Sequence, residues 1–331
     1  MNQNSISRRK ALAMIGGSAL FTIVPASAVR AQGARAPLNL GIQTSVWGAV
    51  GMVAEAEKMF EKAGANVTVF KFDSGKTTRD AMIAGRVDIG SLGTAPFIVG
   101  VAKGEIASLA TVAYAGRTNS VVAAKSLGAK SVADLRGKKI GSQIGSSTHH
   151  IFTNRIAPKF GLKEGDYQIV NTKFENHNSA LAGKSIDAYA GVEPYPSVAE
   201  VEGLGVVVVD YAEFDMVPVW LAVNTPVLEK KYDAVIAFMK GWLETVKIFK
   251  NDPDRAARAV WGYYKSQGYT VQEAAIGKML AKLDVNPEYV PQIKEYLNTE
   301  SEILVKQKQI TAVPDWDKKL DRSVLQKAMQ A

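Results

Sequence analysis

No cysteine occurs anywhere in the 331 residues. That absence excludes disulfides, thiolate metal sites, a cysteine nucleophile and a lipidated N-terminal cysteine. Histidine is almost as scarce, at His149, His150 and His177. The adjacent pair cannot chelate one metal from a helix, where ligands need a spacing of about four residues. His149 reads as a structural or ligand-donating residue, and His177 as an exposed loop or first-turn residue. No Ser-His-Asp ordering, P-loop or metal-ligand spacing stands out, and Asp187 with Glu193 reads as strand-end structure rather than an acid/base pair. No cofactor and no metal are expected, and no chemistry of the protein's own. No apolar run reaches the roughly 18 residues that a bilayer span requires.

What is present begins with an address. Ser7-Arg8-Arg9-Lys10 precedes an apolar run from Ala11 to Val24, and Ala26-Ser27-Ala28 through Ala31 offers cleavage sites. Residues 1–31 therefore read as a secretory signal peptide. The paired arginines between Ser7 and Leu12 resemble a twin-arginine export signal, although Ala11 stands where that signal usually has an aromatic, so general secretory export stays open. A cleaved, freely diffusing protein of an exported compartment is expected, most simply the bacterial periplasm. Four of the 40 basic residues, Arg8, Arg9, Lys10 and Arg30, lie in this leader and no acid does, which leaves 36 basic against 32 acidic residues and a net charge of +4. The remaining lysines are scattered among acids, the pattern of solvated faces rather than of a nucleic-acid surface.

The rest, about 300 residues, suits two domains of ordinary size. Strands are expected at Leu38–Gln43, Asn66–Phe72, Val87–Gly90 and Ala107–Ala115, with helices at Gly48–Ala63, Thr77–Ala84 and Pro96–Lys103 between them. Alternation of this kind argues a parallel, doubly wound sheet. A second set begins at the capping-box-like Ser131-Val132-Ala133-Asp134. It continues with strands Lys138–Ser142, Tyr167–Asn171, Ile186–Val192, Val206–Asp210 and Val217–Val223, and helices Thr148–Phe160 and Asn176–Ala182. After Pro226 only helices are expected: Pro226–Asn251, Pro253–Tyr264, Val271–Leu283 with Thr270 and Glu273 as its capping box, Pro287–Gln307, and a last one from Asp315.

Three strand ends run into helices through glycine and hydroxyl residues: Gln43 to Gly48, Gly90 to Pro96, and Gly145 to His149. Residues this small let a ligand reach the backbone N–H groups at helix starts, where the helix dipole adds partial positive charge. Their repetition at strand ends, where open α/β sheets bind ligands, points to one cleft for a small anion. Each segment alone is also an ordinary helix cap.

Four segments, in this order and spacing, carry a family resemblance. They are Gly41-Ile42-Gln43; Ala84-Gly85-Arg86-Val87-Asp88-Ile89-Gly90 leading into Gly93-Thr94-Ala95-Pro96; Ser131 to Ile140 leading into Gly145-Ser146-Ser147-Thr148-His149; and Ile186-Asp187-Ala188-Tyr189-Ala190-Gly191-Val192-Glu193-Pro194-Tyr195. From about Leu38 to Val260 the chain resembles the substrate-binding proteins of ABC importers for nitrate, taurine and alkanesulfonates, which share a fold with the thiamine-pyrimidine synthase proteins.

The resemblance implies an α/β fold of two doubly wound lobes joined by two crossing strands, a type II periplasmic binding protein with a helical C-terminal part. Lobe one would be discontinuous, 38–121 and 224–331, and lobe two 122–223, with crossings near Val121–Ala124 and Leu221–Asn224. It implies a monomer that receives a small organic anion and delivers it to an ABC permease. Mapped onto this chain, Gln43 and Trp47 project from the first strand end, Ser74 and Gly75 line the floor, and Thr94 and Ala95 present a hydroxyl and an N–H. Ser146, Ser147, Thr148 and His149 close from lobe two, with Glu193 and Tyr195 at the rim. Trp47 is equally a core residue, and Ser147 or Thr148 a mere cap, on residue type alone. Val192 stands where the family often has tryptophan, and Arg117 precedes the first crossing, placed to clamp a carboxylate or sulfonate; otherwise it is a solvated surface arginine. Together these point to an anion bulkier than nitrate, aromatic ones included. Competing readings are a pyrimidine-forming enzyme on the same fold, which in the family carries a cysteine-rich motif absent here, and a sensor using the same trap.

Overall fold

The computed structural model describes residues 36–268, 271 and 273–330. The expected leader lies outside them, as does Thr270, half of the expected capping box with Glu273. β1 (Pro37–Gln43) is buried at five of its seven positions, as a strand covered on both faces must be. The helix expected over Gly48–Ala63 is two, α1 (Ala49–Ala56) and α2 (Met59–Lys62), because Lys58 between them takes a left-handed backbone with φ 54°. Met59 and Phe60 keep the apolar rhythm across the break, so periodicity does not reveal it. β2 (Asn66–Phe72), α3 (Gly75–Ile83), β3 (Ile89–Gly93), α4 (Thr94–Ala102) and β4 (Ile106–Tyr114) complete the first alternation.

The second alternation is β5 (Asn119–Ala124), β6 (Lys139–Ser142), α5 (Ser147–Ile151), a π-helical turn (Phe152–Ile156), α6 (Ala157–Lys159), β7 (Gln168–Asn171), α7 (His177–Ala182), β8 (Ala188–Val192), α8 (Tyr195–Val201) and β9 (Gly205–Asp210). Here α8 is a helix that no sequence pattern announced, and the π turn interrupts what reads as one plain helix.

β10 (Pro218–Asn224) returns to the first sheet. Then follow α9 (Thr225–Lys230), α10 (Tyr232–Asn251), α11 (Pro253–Ser266), α12 (Glu273–Leu280), α13 (Ile293–Lys306), α14 (Trp316–Lys319) and α15 (Ser323–Met329). The helix expected from Pro287 starts only at Ile293. Pro291 has no N–H and restricts Val290 before it, and the Pro287 carbonyl instead accepts from Thr111 N on β4 at 3.3 Å.

Two five-stranded sheets result, in the orders β2-β1-β3-β10-β4 and β7-β6-β8-β5-β9. β1 runs parallel to β2 and β3, and β6 to β7 and β8, as the alternation requires. One strand in each sheet is reversed: β10 is antiparallel to β3 and β4, and β5 to β8 and β9. Each reversed strand is the first after the chain passes between sheets, so it enters from the edge where the parallel strands end. The passages are residues 115–118 and 211–217.

The helical C-terminal part belongs to the first sheet's core. Trp220 of β10 stacks on Phe97 of α4 at 4.4 Å, and Trp316 of α14 lies 6.0 Å from Phe97 on its other contact. Aromatic pairs of this kind add about 0.5–1.5 kcal/mol beyond their buried area.

His177 is the clearest departure from the sequence reading. It does begin α7, but it is fully buried, its Nε2 3.2 Å from the Thr172 carbonyl and its ring 4.6 Å from that of Tyr189. The carbonyl can only accept, so Nε2 carries the proton. Burial pushes this imidazole down to about 3 against the opposing effect of that hydrogen bond. The unfolded chain takes up a proton near the ordinary value of about 6.5, so between these limits it binds more protons than the folded one and stability falls as pH falls. His177→Phe removes that loss: the variant's melting temperature should gain on the wild type as pH is stepped from 7 to 5. Parallel curves would contradict this.

Candidate functional site

The three glycine and hydroxyl segments meet. Ser74 caps α3 through a hydrogen bond from Thr77 N to its Oγ, and Ser146 caps α5 by accepting from His149 N at 3.1 Å. Gly93 occupies the corresponding position before α4. The approach between them is so close that only glycine fits. A Cβ on Gly75 would stand 2.9 Å from Gly93 N, and one on Gly93 would stand 2.4 Å from Ser147 Oγ and 3.0 Å from Trp47 Cζ3. At Gly145, where φ is 86°, a Cβ would meet Lys76 Cδ at 2.8 Å. The two sheets are joined at this point by Ala95 N, which donates to Ser147 Oγ at 3.1 Å.

Around it the expected residues take distinct roles. Gln43 is buried, and its Nε2 reaches the Ser91 carbonyl at 3.5 Å. Gly48 folds back so tightly that a Cβ would fall 1.9 Å from the Gln43 carbonyl oxygen. Trp47 is buried and donates from Nε1 to Thr118 Oγ1 at 3.0 Å, which ties the first strand end to the first passage. Thr94 Oγ1 donates to the Pro218 carbonyl at 3.1 Å and accepts from Trp220 Nε1 at 3.2 Å, so its hydroxyl is occupied within its own sheet. Thr148 Oγ1 donates to Asn119 Oδ1 at 2.9 Å.

His149 Nδ1 lies 3.1 Å from Ser142 Oγ, and burial, then the neighbouring His150, push its pKa down to about 4. It is a neutral ring at neutral pH. Tyr195 starts α8, and its carbonyl accepts from Asn178 Nδ2 at 3.0 Å. Glu193 is fully buried, and its Oε1 accepts from Ser197 Oγ at 2.8 Å and from Lys282 Nζ at 2.5 Å. Its backbone oxygen accepts from Val46 N at 3.1 Å, a further bond between the strand ends of the two sheets. Lys282 thus offsets the charge of this carboxylate, as Lys173 does for Asp73, which accepts from Ser74 and Thr77 at the α3 start.

Arg117 is not brought to this point. The tight turn at Gly116–Thr118 sends Thr118 to Trp47 and Arg117 to the Ala281 carbonyl, at 3.4 Å. Arg117 lines a neighbouring groove of about 810 Å³ with Tyr114, Asp215, Met216 and Asp284, which shares Lys282 with the Glu193 pair but takes no residue from α3, α4 or α5. Val192 is buried at the end of β8, opposite Asn119.

Sequence reasoning passed over Ser45 and Ser91, although both stand inside the quoted segments. Their Oγ atoms are buried without a hydrogen-bond partner among the described residues. An unsatisfied buried hydroxyl costs about 1–3 kcal/mol, and these two leave their protons uncommitted beside the glycine turns. Lys282 carried no local signal, because its partner is 89 positions away. Among the described residues no three His, Asp or Glu side chains are grouped to hold a metal, and no helix is long and apolar enough to cross a membrane.

The sequence pattern of the NMT1-like family matches residues 32–261. A taurine-binding periplasmic protein of Escherichia coli (strain K12) is 30% identical over 212 residues, which cover 61% of this chain and 63% of that relative. An alkanesulfonate-binding protein from Xanthomonas axonopodis pv. citri, solved with MOPS bound, superposes with a TM-score of 0.73 at 19% identity, over 88% of this chain and 97% of its own. A periplasmic nitrate-binding protein from Synechocystis PCC 6803 gives 0.71 at 14% identity, over 89% of each chain. These two likenesses establish the fold, that of periplasmic binding proteins.

Gly93→Ala should lower the free energy of unfolding by about 1–3 kcal/mol, because its methyl group drives into Ser147 and Trp47. Gly262→Ala, on α11 with nothing within 4 Å of its Cβ, should raise it by about 0.5–1 kcal/mol. Urea titrations check both; equal stability of Gly93→Ala and wild type would mean the sheets do not approach this closely.

Proposed function

The chain belongs to the NMT1-like family, and from that premise we propose that it is an exported solute receptor. It binds a small organic anion, a sulfonate or carboxylate, between two lobes and delivers it to an ABC permease of the inner membrane, with no chemistry of its own. The leader over residues 1–31 would send it to the periplasm, where it would act as a monomer. The lobe division read from the sequence, 38–121 with 224–331 against 122–223, keeps its order but shifts at both boundaries, because β5 belongs to the second sheet and β10 to the first; lobe one would be 37–114 with 218–330 and lobe two 119–210, and the passages at 115–118 and 211–217 would serve as pivots.

The observation that carries this reading is the bond from Ala95 N to Ser147 Oγ at the point where helix starts from both sheets converge. A hydroxyl that accepts an N–H bond still has its own proton to donate, and the accepted bond polarises it toward a better donor. Ser147 would therefore hand the partial positive charge of the α4 start to the anion. Ser45 and Ser91, buried and unpaired, would donate to its other oxygens, and neutral His149 would contribute a ring nitrogen. Gln43, Ser74, Gly75, Thr94, Ser146, Thr148, Glu193 and Tyr195 would shape and hold this ring of donors. Removal of water from the anion is offset by fixed donors already in place. The relatives named for taurine, alkanesulfonate and nitrate support the choice of anion class, and Val192, small where the family often has tryptophan, favours a guest bulkier than nitrate.

Thermal-shift titration of the mature protein with taurine, alkanesulfonates, arylsulfonates, aromatic carboxylates, nitrate and pyrimidines tests it. Sulfonates or carboxylates should stabilise, and Ser147→Ala and Ser91→Ala should each weaken the binding about tenfold or more, since a hydrogen bond to a charged group contributes about 1.5–3 kcal/mol. Arg117→Ala is the control and should bind as wild type. Stabilisation by pyrimidines alone, or unchanged binding by both serine variants, would overturn the reading.

A further inference from the structure

Away from the anion-facing turns, a second buried polar group joins the two halves of the molecule. His150 and Arg155 project from α5 and the π turn, Tyr296 and Glu300 from α13, and Asp215 from the second passage. Arg155 Nε lies 2.7 Å from Glu300 Oε1 and 3.1 Å from Asp215 Oδ2, and its Nη2 also pairs with Glu300. His150 Nε2 lies 2.8 Å from Glu300 Oε2, and Tyr296 donates to Asp215 Oδ1 at 2.8 Å. The guanidinium sits 5.1 Å from the centre of the Tyr296 ring. Glu300 is wholly buried. Burial alone would raise its pKa, but the bonds from His150 and Arg155 outweigh that and hold it below the usual carboxylate range.

These contacts cross between the proposed lobes. α13 is fixed to the first sheet, since Tyr296, Leu297 and Leu304 share a core with Phe97 and Trp220. α5 and the π turn belong to the second sheet's part of the chain, between β6 and β7, and α5 packs on β8. The π turn has a reason to be there: its extra residue re-aims the outer face, so that Asn154 meets Gln307 at 3.0 Å while Arg155 meets Glu300. Any rotation about the two passages would draw Arg155 and His150 away from Glu300.

We infer that Arg155, His150 and Glu300 form a latch that fastens the two lobes in the closed form and so sets how long a bound anion is retained, without touching it. The inference rests on the receptor reading for its functional sense. These are positioning residues. A buried ion pair gains little over two hydrated ions, but a buried charge left without its partner is strongly destabilising. Neutralising Glu300 therefore penalises the closed form, where Arg155 is left with Asp215 alone and His150 with no carboxylate, and leaves the open form, where both meet water, nearly unaffected.

The test uses Glu300→Gln and, as a second variant should that fold poorly, His150→Gln. The cysteine-free chain accepts spin labels at V201C and M329C, two exposed positions on opposite lobes, and the distance between them needs no ligand. Glu300→Gln should shift the ligand-free distance distribution away from that of the wild type, and His150→Gln should do so less. With taurine and 4-toluenesulfonate as probes in stopped-flow, the dissociation rate should rise about tenfold while the association rate changes less than about twofold. Unchanged distances and dissociation rates in a folded variant, with only a lower melting temperature, would show a static structural cluster and overturn the latch. A shifted distance distribution with no binding of either probe would keep the latch and count against the receptor reading instead.

Discussion

The closeness of two backbones governs this molecule. Where α3, α4 and α5 begin, Gly75, Gly93 and Gly145 carry no side chains, and each stands where a methyl group would collide with a neighbour. That bareness lets the Ala95 amide reach Ser147 across the gap between two sheets. Helix starts are regions of partial positive charge, and several of them brought together at short range form a field that favours a negative guest. Donors held in place in this way would lose little freedom on binding the proposed anion. A larger residue at Gly93 would push Ser147 and the second sheet away, and one at Gly75 would push α3 off the end of β3.

Two groups of buried polar side chains differ in chemistry. Those at the glycine turns are hydroxyls, amides and one neutral imidazole, groups that can donate without carrying formal charge. Glu193, the carboxylate among them, is matched by Lys282 from far along the chain. The second group, around Glu300 and Asp215, joins two carboxylates to Arg155 and His150, and it lies where α5 and the π turn meet the C-terminal helices. In the proposed receptor, this separation would let the neutral donors define what is bound and the ionic group bear on how firmly the halves stay together.

Much of the fold was legible because alternating strands and helices leave a period that sequence shows directly. The positions of nearly every strand follow from it. What was not legible follows from interactions that period does not encode. Lys58 interrupts a helix by its backbone conformation while the apolar rhythm continues through Met59 and Phe60. The reversed direction of β5 and β10 depends on which edge the chain enters from. His177 is buried by Phe174 and Tyr189, which read as ordinary strand and turn residues. In the candidate site, the glycine-bearing turns were legible because steric need leaves a compositional trace. Ser45 and Ser91 stood in those same turns, yet nothing in residue type tells an unpaired hydroxyl from a capping one. Arg117 shows the opposite failure: a residue of suitable chemistry, one position from Thr118, is turned by a single tight bend toward Ala281.

The central claim is that an anion sits where the helix starts of both lobes meet. A crystal structure of the mature protein, grown with whichever sulfonate or carboxylate most raises its melting temperature, tests this most directly. The account predicts the anionic group within hydrogen-bond distance of Ser147 Oγ and of at least one of Ser45 and Ser91, with the Ala95 to Ser147 bond intact. An anion bound in the groove beside Arg117, or held by none of these hydroxyls, would contradict it.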